Sequence, residues 1–257
     1  MKGIDKIRQY LGEHKGNYVI IGGAACNLNL EGANMPGRAT KDVDMIVVCE
    51  AITPEYMRSF WAFIEAGGYT AWQVKSEQKR LRCFYRFINP TDKDFPKYIE
   101  LFSRKPDAIE LPGNAHLVHI PVSDYLSSFS AILMDDDYYG YAVSHAVELD
   151  GVQAIDRDAL IVLKIKAYLN NLQRRESGQT VQSDDIDKHK RDVYRIAHIL
   201  TGADRFTAPE SIKKDIEAFL SAIESDPINT KAISKFMGVV EMTQTRFVEI
   251  IRTAYGL

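Results

Sequence analysis

Apolar residues recur every three or four positions at Ile4, Ile7, Tyr10 and Leu11, with charged residues between them, which predicts an amphipathic helix over residues 3–15. The stretch "NYVIIGG" (17–23) is instead a short continuous apolar run ending on two glycines, a strand that leads into a turn. "AACNLNLEG" (24–32) predicts one or two helical turns, and "ANMPGRA" (33–39) a loop. "VDMIVVCE" (43–50) is apolar on both faces, as a strand covered on both sides requires. "TPEYMRSFWAFIEAGG" (53–68) opens with Thr53 as N-cap and Pro54 at the first helical position and closes on glycines, so it predicts a helix.

Past residue 68 the period falls to two. "YTAWQV" (69–74), "LRCFYRFIN" (81–89), "KYIELFSR" (97–104) and "AHLVHIPV" (115–122) predict strands. "DYLSSFSAILMDDD" (124–137) predicts a helix with an acidic end, and "YAVSHAVELDGVQAID" (141–156) a hairpin about its Asp-Gly turn. From there the pattern is helical: 157–175, a polar loop "ESGQTVQS" (176–183), 184–202, and two further helices at about 209–224 and 228–254. The expectation is an α+β fold with a mixed sheet flanked by helices over residues 1–156, followed by a helical C-terminal bundle over 157–257. The boundary is a composition break near residues 153–158.

Composition narrows the class. The chain has 257 residues, 46% hydrophobic and 26% charged, as in ordinary globular proteins. No apolar stretch approaches the roughly 20 residues that span a bilayer, and the charged start has no signal-peptide core, so no membrane partner and a cytoplasmic location are expected. Thirty-two basic against 35 acidic residues give a net charge of −3, which is not the footprint of bulk nucleic-acid binding, although "KSEQKRLRCFYR" (75–86) and "KHKR" (188–191) are local basic clusters. Cys26, Cys49 and Cys83 are widely spaced and form no CxxC pair, so neither a disulfide framework nor a cysteine zinc site is suggested. His145, His189 and His198 show no metal-ligand spacing.

The candidate chemistry lies in "GGAACNLNLEGANMPGRATKDVDMIVV" (22–48). On an extended segment Asp42 and Asp44 point to the same side, with Ile46 and Val48 continuing that face. Two adjacent ionised carboxylates are costly unless water or a cation compensates them. They either cap the strand in a solvated turn or hold a hard cation such as Mg²⁺. Upstream, Gly22 and Gly23 follow a strand and precede a helix, where a glycine backbone can approach a phosphate closely. Arg38, Thr40 and Lys41 stand just before the acids and either meet phosphate oxygens or order the loop. Glu100 is an acid inside an apolar strand, either facing water at an edge or adding a third carboxylate.

With these residues the stretch "GG…GRATKDVDMIVV" resembles the first motif of the DNA polymerase β-like nucleotidyltransferases, and its "R-x-T-K-D-x-D" form is most similar to the AbiEii/AbiGii toxins of abortive-infection and toxin–antitoxin systems. The resemblance implies a nucleotidyltransferase-like sheet, with Asp42, Asp44 and Glu100 as metal-binding and catalytic carboxylates, although the family usually offers Asp where Glu100 stands. It also implies that Lys164, in "ALIVLKIKAYL", contacts nucleotide phosphates while Lys166 is solvated. Lys190, Arg191 and Asp192 match the family's last motif, whose second Asp is replaced here by Arg195. Gly22, Gly23, Arg38, Thr40, Lys41, Lys190 and Asp192 would then bind the nucleotide.

The implied activity is Mg²⁺-dependent transfer of a nucleotidyl group from an NTP to a hydroxyl of tRNA or protein, with an antitoxin protein as partner. A small-molecule nucleotidyltransferase of the antibiotic-modifying kind and a non-catalytic binding module are the alternatives.

Overall fold

The computed structural model describes residues 3–71, 85–105, 117–120 and 129–257. Cys83, most of the basic segment 75–86 and parts of the strands expected at 69–74, 81–89 and 115–122 lie outside the described residues. The chain divides into two compact units, one of residues 1–28 and 39–155 and one of 29–38 and 156–257.

The first unit is α+β, and its sheet is mixed. β1 (Tyr18–Ile21) runs into α2 (Gly22–Gly32), whose residues up to Leu28 belong to this unit. β2 (Asp42–Val47) lies antiparallel to β1 and parallel to β5 (Tyr98–Ser103). The other edge of β5 is shared along its length. Its start pairs antiparallel with β4 (Arg86–Ile88), which carries β3 (Thr70–Ala71), and its end pairs parallel with β7 (Phe129–Leu133), which carries β6 (Leu117–Ile120). On the far side of β1, β9 (Val152–Ile155) runs parallel to it and β8 (Ala146–Leu149) closes the edge. The last two strands form the expected hairpin. Asp150 and Gly151 both take positive φ, 50° and 74°, as its two-residue turn requires.

Which face the acids occupy is decided by packing on the opposite face. Helix α3 (Pro54–Gly67) is capped by Thr53, whose side chain accepts from the Tyr56 N–H, and ends at Gly68 with φ 62°. Tyr56 stacks on Tyr18 of β1 and bonds the Met45 sulfur of β2, while Phe60 meets Phe87 of β4 edge-on at 5.7 Å. Helix α1 (Ile4–Leu11) buries Ile4, Ile7 and Leu11 and packs beside α3. Val43, Met45, Phe87, Ile99 and Leu101 are buried, which by strict alternation turns Asp42, Asp44, Arg86 and Glu100 to the other side. A one-residue slip of β2 would drive both aspartates into this aromatic core, so the register is strongly fixed.

Three expected elements differ. Of the helix expected over 124–137, residues 124–128 lie outside the described residues; Phe129–Leu133 is a strand, and the acids open α4 (Asp136–Ser144), with Asp135 accepting from the Asp137 N–H. Negative charge favours a helix start over a helix end, which is why the acids sit there. The α2 helix is longer than two turns because Ala24, Ala25, Cys26, Leu28 and Leu30 are all buried.

The second unit is helical after residue 155: α5 (Arg157–Glu176), α6 (Ser183–Ala197), α7 (Glu210–Ser225), α8 (Thr230–Met237) and α9 (Gln244–Tyr255). The single helix expected over 228–254 is broken, the third difference. Gly238 closes α8 with φ 67°, and Thr243 caps α9 by accepting from the Arg246 N–H. Tyr168, Tyr194, Phe219 and Phe247 form the core of this unit. Among the described residues, no helix is long and apolar enough to cross a membrane.

Candidate active site

A row of charged residues crosses the first unit's sheet. Arg86 on β4 is the register partner of Glu100 on β5, and Glu100 is in turn the partner of Asp44 on β2. Directly paired positions bring side chains on one face within about 5 Å at Cβ, so these three are immediate neighbours. Asp42 lies two residues before Asp44 on the same face, opposite Tyr98. Asp42 is exposed and Asp44 half-buried, so the two carboxylates stand at the open end of a buried strand. Together with Arg86, Ile88, Asn89 and Tyr98, the three acids line a cavity of about 380 Å³. Three carboxylates against one guanidinium leave it markedly negative.

Gly22 completes the geometry. Its φ is 68°, and a Cβ placed on it would fall 2.0 Å from Oδ2 of Asp44. The strand–helix turn thus lays bare backbone against the Asp44 carboxylate, an approach that any side chain would prevent. Gly23 is buried in the first turn of α2. Thr40 is half-buried and Lys41 exposed; the Thr40 hydroxyl donates to the Asp42 carbonyl at 3.4 Å, and the Lys41 carbonyl accepts from the Lys97 N–H at 2.8 Å. A second cavity of about 530 Å³, sharing Asn89 with the first, is lined by Thr40, Lys41, Lys93, Phe95 and Lys97 among others. Lys97 lies 4.8 Å from the Tyr98 ring centroid, and the Tyr98 hydroxyl, with Asp42 farther off, raises its pKa.

Whether the acids suit a metal depends on their number and on their neighbours. Glu100 forms an ion pair with Arg86. Among the described residues, no group of three or more His, Cys, Asp or Glu side chains is placed to hold a metal ion together. Asp42 and Asp44 remain a pair, and a pair suits Mg²⁺, which is usually held by one or two carboxylates while water and substrate phosphate complete its shell.

The remaining expected site residues belong to the second unit, where the fold commits them to one another. Asp192 is fully buried on α6 and accepts from Lys164 of α5 at 2.7 Å, from Arg195 at 2.7 Å and from the Arg38 Nε at 3.1 Å. Burial alone would raise its pKa, but Lys164, Arg38 and Arg195 outweigh that and hold it down at about 2. The pKa of His189 is lowered as well, to about 3, first by burial and then by Lys164 and Lys188, which keeps the imidazole neutral. The ammonium group of Lys164, whose expected role is a phosphate contact, is ion-paired with the Asp192 carboxylate in the helical unit. Lys190 is similarly occupied, pairing with Asp187 and with Asp226 beyond α7. Lys166, expected to be solvated, pairs with Asp215 of α7 at 2.7 Å.

Sequence reasoning did not single out Arg86, Tyr98, Lys93 or Lys97. The signal for Arg86 was present: in an extended segment it shares a face with Ile88, and only the pairing of β4 with β5 reveals which acid it meets. No protein-family model matches the chain, and no curated protein sequence matches it significantly.

Proposed function

We propose that the protein is a Mg²⁺-dependent nucleotidyltransferase, acting as the toxin of an AbiEii-like system, with its catalytic carboxylates on β2. The observation that carries this reading is the row formed by Asp44 and its partner Glu100, with Asp42 on the same face and the Gly22 backbone laid against Asp44. Strand-capping acids in a solvated turn need no glycine approach of this kind.

In this reading Asp42 and Asp44 would hold Mg²⁺, which would supply charge neutralisation for a bound triphosphate. The Gly22–Gly23 turn brings bare backbone to the edge of the Asp44 carboxylate, and at the rim Lys41 attracts phosphate charge while the Thr40 hydroxyl can donate to a phosphate oxygen. The acceptor hydroxyl forms a bond to the α-phosphorus as the bond to the bridging oxygen of pyrophosphate breaks, and the hydroxyl's proton passes to a base at the cavity wall, where Glu100 stands. Lys41, Lys93 and Lys97 around the adjoining cavity favour an anionic acceptor such as RNA over a cationic small molecule. Lys164, Lys190 and Asp192 act as structural charges of the helical unit.

Calorimetric titration of a non-hydrolysable NTP analogue, with and without Mg²⁺, tests this reading. Metal-dependent binding by the wild type that Asp44→Asn abolishes is the expected result. Equal binding by both proteins would remove the β2 acids from the site and favour the binding-module alternative.

A further inference from the structure

Glu100 has two neighbours in its row and one carboxylate to share between them. On the β2 side stands Asp44; on the β4 side stands Arg86, and the ion pair is made with Arg86. The Glu100 side chain is 21% exposed and that of Arg86 is 39% exposed, so the pair is only partly wetted, at the wall of the acidic cavity. A guanidinium binds a carboxylate in a planar, directional way and stays charged at any working pH, so the hold on Glu100 does not relax by deprotonation. Arg86 is also fixed from behind. Phe87, the next residue, is fully buried against Phe60 and Trp61, and β4 pairs with β5 at three successive positions.

We infer that Arg86 is a positioning residue that withholds Glu100 from the metal, so that the divalent ion is held by Asp42 and Asp44 alone. This rests on the proposed metal role of the β2 acids. Glutamate at this position has the reach to serve either neighbour, so the choice is made by the guanidinium and not by the length of the side chain. Without Arg86, a carboxylate directly opposite Asp44 would turn to the strongest positive charge near it, which is the metal.

Mn²⁺ serves as the probe, with its affinity read by electron paramagnetic resonance and its inner-sphere waters counted by water-proton relaxation. Four proteins are compared: wild type, Asp44→Asn, Arg86→Gln, and the double variant Arg86→Gln/Glu100→Gln, in which the neutral pair is replaced by a neutral pair. Arg86→Gln should bind Mn²⁺ about tenfold more tightly, from the lost like charge and the gained ligand, and with one bound water fewer. The double variant should return to wild-type affinity, within about twofold, and to the wild-type water count. Loss of affinity in the double variant would show that Glu100 already ligates the ion in the wild type, and an unchanged water count in Arg86→Gln would show that only charge had altered; either result overturns the inference. Failure of both wild type and Arg86→Gln to bind would overturn it as well. If Asp44→Asn binds as the wild type does, the metal reading itself fails, whatever Arg86 does. Circular dichroism of each variant confirms that the fold is intact.

Discussion

A Cβ on Gly22 would lie 2.0 Å from the Asp44 carboxylate, so the strand–helix turn and the end of β2 are fitted to each other with no room for a side chain. Gly22→Ala meets two obstacles, a left-handed backbone and a collision with a carboxylate fixed on a buried strand. The substitution should destabilise the protein by about 1–2 kcal/mol from the backbone alone. It should also displace Asp44 and abolish Mg²⁺-nucleotide binding. Urea denaturation and nucleotide titration of the same variant check the two effects separately. Full binding by the alanine variant would mean that the close approach has no functional role.

Asp192 is the anionic centre of the helical unit. Removing its charge leaves the nearly buried Lys164 and Arg195 facing a neutral amide. Breaking a buried ion pair from one side typically costs about 3–5 kcal/mol. Asp192→Asn should therefore cost about that much in urea unfolding. Lys164→Met should cost distinctly less, because Arg38 and Arg195 still satisfy the carboxylate.

The same cluster gives the protein two acid-sensitive windows. Asp192, held at about 2, contributes stability that is present above the unfolded carboxylate value near 4 and is lost as pH falls from there toward 2. His189, lowered to about 3, stays neutral in the fold while the unfolded chain takes up a proton near pH 6.5, so stability falls as pH drops from about 6.5 toward 3. Between pH 7 and pH 4.5 the histidine acts alone of the two. His189→Gln should therefore remove roughly 1–2 kcal/mol of the stability lost over that interval, a figure discounted for the partial exposure of the ring. Urea unfolding of both proteins at the two pH values measures the difference.

The hairpin at the sheet edge offers a prediction independent of any site. Gly151 has φ 74°, and a Cβ there would come within 2.9 Å of the Arg8 side chain. That arginine reaches from α1 to the turn, with its Nε donating to the Asp150 carbonyl at 2.7 Å. Gly151→Ala should cost about 1–2 kcal/mol, chiefly from the backbone, because the arginine end is flexible. Thermal unfolding checks it.

Features written in a few adjacent residues were legible in the sequence. The Thr53 cap, Pro54 and Gly68 bound α3, the Asp-Gly pair marks the β8–β9 turn, and the alternation at 42–48 puts both aspartates on one face. The breaks at Gly238 and Thr243 were equally local, but an apolar pattern sustained through 228–254 concealed them. The strand at Phe129–Leu133 was obscured because "SSFSAIL" fits a buried strand and a helix equally well, and pairing with β5 decides between them. At the site, the residue types were visible and their partners were not. That Glu100 meets Arg86 follows from the β4–β5 register, and that Lys164 is captured by Asp192 follows from the packing of α5 on α6. Neither relationship has a signal within any short window of sequence.

The most direct test of the central claim is transfer of label from [α-³²P]NTPs. The purified protein is incubated with each of the four nucleotides, Mg²⁺ and a cell extract containing RNA and protein, beside the Asp44→Asn variant. Label should enter a macromolecular acceptor with the wild type and not with the variant, and ribonuclease or protease sensitivity then identifies the acceptor class. Absence of labelling with all four nucleotides, or equal labelling by both proteins, would contradict the assignment of the β2 carboxylates to nucleotidyl transfer.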